Sequence, residues 1–99
     1  MAESSWKYET VAASQTAQVL GTVGAKGDRV NKLVISVATA ASSTVTLLDN
    51  ATSIVITAAT TPIGVYVVDF GEVGIVSVSG AWKITTGAGA TVIALGSFT

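Results

Sequence analysis

Asp69 and Glu72 are the most closely spaced carboxylates in the chain, and a glycosidase needs two such groups at a defined separation. Flanking Phe70-Gly71, they read instead as the solvated ends of a turn. Asp49, Asn50 and Asp69 offer oxygens to a calcium ion, but the roughly six to eight ligands that such an ion takes are not in sight. Gly87-Ala88-Gly89 opens like a dinucleotide-binding fingerprint. Val92 stands where its third glycine belongs, and a strand pattern follows where a helix should, so the stretch reads as a turn. There is no phosphate loop and no nucleophile elbow. Histidine and cysteine are both absent, which removes the commonest nucleophile–base pairs and nearly all zinc sites. Tyr66 and Trp82 could stack on a sugar, yet Trp82 alternates with Ile84, which argues for a core position. Asn50-Ala51-Thr52 is a formal glycosylation sequon, relevant only in a secretory pathway. The expectation is a protein that is not an enzyme and takes no cofactor or metal.

Composition narrows the classes further. Charged residues make up 11% of the 99, against about 25% in typical soluble domains. The mean hydropathy is +0.66. So sparsely charged a surface is expected to be covered by something else. A membrane is not the expected cover. Thr, Ser or Gly interrupt every apolar run well short of the roughly 18–20 residues of a spanning helix. The strands are also too short and too few for a one-chain barrel. Met-Ala-Glu-Ser-Ser has neither the basic region nor the apolar core of a signal peptide. With a net charge of −1, no basic patch exists for nucleic acid.

The elements themselves read as short strands. In the first segment, Ser5 to about Ala13, Trp6, Tyr8 and Thr10 face one way and Lys7, Glu9 and Val11 the other. This is a first strand of the domain, or an arm that lies across a neighbouring copy with Trp6 as its anchor. On the arm reading, removing residues 1–13 leaves a folded domain that attaches poorly. Gln15–Val23 is a weak strand, and Gly24-Ala25-Lys26-Gly27-Asp28 a turn. Lys26, Asp28, Arg29 and Lys32 cluster there as a solvated loop or a docking contact. Leu33–Val37 alternates, and Thr44–Asp49 with Thr52–Ala58 reads as a hairpin across Asn50-Ala51. Gly64–Phe70, Val73–Ser79, Ala81–Thr86 and Ala90–Phe98 complete eight or nine strands with no amphipathic helix. Their spacing predicts an all-β fold, a two-sheet β-sandwich, jelly-roll-like.

Within this pattern Trp82 is the largest expected contributor to a core. A buried indole removes roughly 150–250 Å² from water, or about 4–6 kcal/mol at ~25 cal/mol per Å² before entropy. Ile84 and Val78 are expected on its face. Several strands carry apolar residues on both sides: Val34 opposite Leu33 and Ile35, Leu48 opposite Leu47, Val55 between Ile54 and Ile56, Val68 between Val67 and Phe70, Ile93 and Leu95 beside Val92. A single sheet pair cannot bury all of them, and apolar surface beyond a few hundred Å² usually marks an interface. Self-association is therefore expected.

Lys32-Leu33-Val34-Ile35, the Thr-Val-Thr-Leu-Leu-Asp strand at 44–49, Val78-Ser79-Gly80-Ala81-Trp82-Lys83-Ile84-Thr85-Thr86-Gly87 and Val92–Phe98 together resemble a small virion protein family of tailed bacteriophages. The Gly-Ala-Trp-Lys stretch is the most distinctive part. The resemblance covers residues 20–99, a β-sandwich domain, and leaves 1–19 as an N-terminal strand or arm. It implies a capsid decoration (cement) protein whose partner is the major capsid protein. It also implies a homotrimer, made in the host cytoplasm and located on the virion surface, with no nucleic-acid or membrane partner. The alternative it allows is a receptor- or glycan-binding head-fibre or tail module. Candidate partner contacts are Trp6, Tyr8, Lys26 and Arg29.

Overall fold

Residues that alternate apolar and polar along the chain become strands whose apolar side chains meet in one interior. In the computed structural model, which describes residues 7–99, the strands are β1 (Lys7–Val11), β2 (Gln18–Val19), β3 (Arg29–Val37), β4 (Val45–Asp49), β5 (Thr52–Thr57), β6 (Gly64–Asp69), β7 (Ile75–Val76), β8 (Trp82–Thr86) and β9 (Ala90–Ser97). A 3-10 turn, Ala40–Ser42, bridges β3 and β4.

One sheet runs β1-β9-β3-β6, with β7 pairing to β3 at Arg29 and Val30, beyond the end of β6. The other runs β2-β8-β4-β5. All pairs are antiparallel. The pairs β4·β5, β3·β6, β2·β8 and β1·β9 are successive rungs of one long antiparallel hairpin with its tip at Asn50-Ala51. Rolling that hairpin sends alternate rungs to opposite sheets, which is the jelly-roll arrangement. Asn50 makes the tip possible by taking φ 57, a left-handed conformation that Asn tolerates.

Leu33, Ile35, Val92 and Ala94 from the first sheet face Val45, Leu47, Trp82 and Ile84 from the second, all essentially excluded from solvent. Each Val, Leu or Ile so buried contributes about 1.5–3 kcal/mol before entropy. Val11 is also fully buried, and β1 pairs with β9 along its whole length, from Lys7↔Gly96 to Val11↔Val92. Lys7–Val11 is therefore a strand of the domain's own sheet. Where β9 crosses the start of β3, a Cβ on Gly96 would collide with the carbonyl oxygen of Arg29, so no larger residue fits.

Two expected strands are much shorter than the alternation suggests, because side chains take over the backbone's hydrogen bonds. In 73–79 only Ile75–Val76 pairs. Ser77 is buried, its hydroxyl accepts from the N–H of Gly27 at 2.9 Å, and the Asp49 carboxylate accepts from the N–H of Val78 and Ser79 at 2.9 and 3.1 Å. Gly74 passes so near Val30 that a Cβ would lie 2.6 Å from its carbonyl oxygen, with φ at +74. Val78 consequently turns outward, 69% exposed, and does not share the face of Trp82 and Ile84 as the alternation predicts. In 15–23 the N–H groups of Gln15 and Ala17 go to the hydroxyls of Thr86 and Thr85, leaving Gln18–Val19 to pair.

Candidate attachment surface

Asp69 and Glu72 are exposed, and Asp69 Oδ1 accepts from the N–H of Gly71 at 2.8 Å, a turn-closing bond. Among the described residues no group of three or more His, Cys, Asp or Glu side chains is placed to hold a metal ion. The N–H groups of Gly87 and Gly89 donate to Thr44 and Ser42 at 2.8 and 2.7 Å, so this turn presents no free amide cradle to a phosphate. Tyr66 and Trp82 lie in opposite sheets. Trp82 is 3% exposed and the Tyr66 hydroxyl donates to the carbonyl of Pro62 at 2.7 Å, so the two form no stacking platform.

What the fold does present is the outer face of the β1-β9-β3-β6 sheet. Cross-strand partners share a face, so the registers can be read as rows across the four strands. One row is Tyr8–Leu95–Lys32–Asp69, and the next is Thr10–Ile93–Val34–Val67. A third, across three strands, is Thr91–Ser36–Val65. The middle of this face is thus an apolar belt of Leu95, Ile93, Val34, Val67 and Val65. Tyr8, Val65 and Val67 are each at least 60% exposed, and Ile93 is 41% exposed. Lys32 and Asp69 border the belt at one end, and Thr91 and Ser36 at the other.

No family model, curated protein or solved structure matches this chain.

Two of the four candidate contacts lie on this face. Tyr8 projects beside Leu95. Arg29, exposed at the start of β3, is next to the border at Lys32, and its Nη1 donates to the carbonyl of Val73 at 3.2 Å. Lys26 sits apart, exposed in the loop before β3, where Asp28 closes the turn by accepting the N–H of Ala25 at 3.0 Å. Trp6 lies outside the described residues. Ile93, Val34 and Val67 join Tyr8 as candidate contacts, signalled in the sequence by their apolar character on the side of the strand opposite the core residues.

The sequence pattern places Asp28 in a charge cluster, yet it is 6% exposed and works as a buried acceptor. Its carboxylate takes the N–H of Thr99 at 3.0 Å and the Thr99 hydroxyl at 3.0 and 3.1 Å, fastening the stretch after β9 to the loop before β3. Nothing in the spacing of residues 28 and 99 announces that contact.

Proposed function

We propose that this chain is a structural virion protein that attaches to the outer surface of a tailed-phage capsid and stabilises it, with the major capsid protein as its partner. The observation that carries the proposal is the apolar belt on the outer sheet face, in a chain with 11% charged residues. A two-layer jelly roll needs one apolar face per sheet for its own core. The belt is a second one, left to a partner. The resemblance of the Gly80–Lys83 stretch to decoration proteins supplies the class of that partner. Attachment works by adhesion: each copy removes the belt from water against capsid subunits, and no bond is made or broken. Copies associate with one another, three-fold on the same resemblance, and the protein passes from the host cytoplasm to the virion surface.

Co-sedimentation of the purified protein with expanded capsids tests the proposal. Wild type is expected to bind stoichiometrically, and Val67→Asp, which puts a charge in the belt, is expected to bind poorly. Val78→Asp, at an equally exposed position off that face, is expected to bind like wild type. Equal binding by all three proteins sinks the assignment of the surface. Absence of capsid binding together with a hit on a glycan array favours the head-fibre or tail reading.

A further inference from the structure

We infer that β5 is the edge through which copies of this chain pair with one another. The inference rests on the self-association proposed above and names its surface. It starts from a comparison of the free edges of the two sheets. An edge strand offers unpaired N–H and C=O groups to any other strand, and proteins normally blunt such edges with charges, irregular backbone or brevity. Three edges here are blunted. β1 carries Lys7 and Glu9. β2 is two residues long, between Ala17 at φ 49 and Gly21 at φ 91. β6 ends at Asp69, and β7 beside it is two residues long and follows Gly74 at φ 74.

β5 is different. From Asn50 to Val68 the sequence contains no charged residue, and β5 reads Thr-Ser-Ile-Val-Ile-Thr, β-branched at all but one position. Among the described residues its only partner strand is β4. Val55 is 68% exposed, Ile54 41%, and Ile63 in the following loop 69%. The register shift in β4·β5 falls at the Ile56 end, so Thr52–Val55 remains a regular strand with one side open. Short, uncharged, β-branched segments without proline are those that pair most readily with their own kind.

The same features choose the occupant. Outward N–H and C=O groups are best met by another strand edge. The absence of charge gives no hold to an acidic or basic partner and no repulsion against an identical chain. β6, the terminal strand of the other sheet, follows β5 through the same uncharged stretch and lies at the corresponding end of its sheet. A neighbouring copy therefore meets an uncharged flank in which β5 alone offers an open edge, and such a contact closes into a ring when it is heterologous and its rotation permits.

Light scattering at micromolar concentration, without capsids, tests the pairing on wild type, Val55→Lys, Ser53→Lys and the control Thr91→Lys on the opposite sheet. Wild type and Thr91→Lys are expected to be oligomers, and both β5 variants monomers with wild-type circular dichroism. Amide hydrogen exchange adds the backbone signature: β5 amides protected in wild type and open in Val55→Lys. A monomeric wild type overturns the inference, as does an oligomer unaffected by both lysines or one with unprotected β5 amides. A monomer that still co-sediments with capsids overturns this inference alone, whereas an oligomer that fails to co-sediment leaves it standing and removes the attachment reading.

Discussion

The indole Nε1 of Trp82 donates to the backbone carbonyl of Asp28 at 2.8 Å, across 54 positions of sequence. That carbonyl also accepts the N–H of Ser77 at 3.0 Å, so one oxygen joins β8, the loop before β3 and the segment after β7. Trp82 therefore has both a volume role and a polar role. Trp82→Ala is expected to cost about 3–5 kcal/mol by emptying the core, a large part of the roughly 5–15 kcal/mol a domain has in total. Trp82→Phe keeps most of the apolar contact and loses the hydrogen bond, for about 1–2 kcal/mol, with Ser77 still satisfying the oxygen. Urea denaturation should rank wild type above Phe above Ala. An Ala variant as stable as wild type would show that the indole is not the core's anchor.

Glu9 fastens β1 to the chain that follows it. Its Oε1 accepts the N–H of Gly21 at 2.6 Å and its Oε2 accepts the Gln18 amide at 3.0 Å. Hydrogen bonds to a charged acceptor contribute about 1.5–3 kcal/mol each when part-buried, so Glu9→Ala is expected to lose about 2–3 kcal/mol and Glu9→Gln about half of that. Both are read from the denaturation midpoint.

Removing residues 1–13 is expected to abolish cooperative folding. The deletion takes away β1, the buried Val11, and the pairing that covers β9. Circular dichroism of the truncated protein checks this. A fully folded truncation with a sharp melt would restore the arm reading, in which this segment serves only attachment.

The contrast between Leu33–Val37 and Val73–Ser79 shows what the sequence made legible. In the first, alternate residues are apolar and every inward one is buried, so periodicity alone gave strand and face. The hairpin over Asn50-Ala51 was equally plain, because its turn chemistry is local. The second alternates nearly as well, but its backbone is held by the Asp49 carboxylate and the Asp28 backbone carbonyl, groups far away in sequence, while the Ser77 hydroxyl takes the N–H of Gly27. Competition of that kind leaves no local trace. The same holds for the attachment surface. The two-sided apolar character of β3, β6 and β9 was visible in the sequence, whereas the rows that unite Ile93, Val34 and Val67 depend on registers that only the fold sets.

Asn31 is expected to tolerate nothing of different polarity. It stands at the bulge in β3, 1% exposed, and its Nδ2 donates to the carbonyls of Gly71 and Glu72 at 3.2 and 2.7 Å. Asn31→Ala gives up both bonds for about 1–3 kcal/mol. Asn31→Asp is nearly the same size but turns an anionic oxygen toward two carbonyl oxygens in a buried site, which should cost more than Ala does. Thermal melts at neutral pH, Ala against Asp, give the order. An Asp variant more stable than Ala would mean that the 70–76 turn is not held by this amide.

Val65 and Val67 offer the cleanest separation of stability from attachment. Both point outward from β6, at 66% and 60% exposure, so the folded domain gains little from their methyl groups. Threonine has nearly the same shape and a similar preference for strands. The double variant Val65→Thr, Val67→Thr should therefore unfold within about 0.5 kcal/mol of wild type, as surface substitutions generally do. Against a capsid the balance is different, because each hydroxyl must then leave water for an apolar contact. A loss of about 0.7 kcal/mol per position adds to about 1.4 kcal/mol, a tenfold weaker affinity. Paired urea titrations and capsid-binding isotherms measure the two quantities on the same samples. A variant that loses stability but not affinity would place these residues in the fold's own packing and move the attachment surface elsewhere.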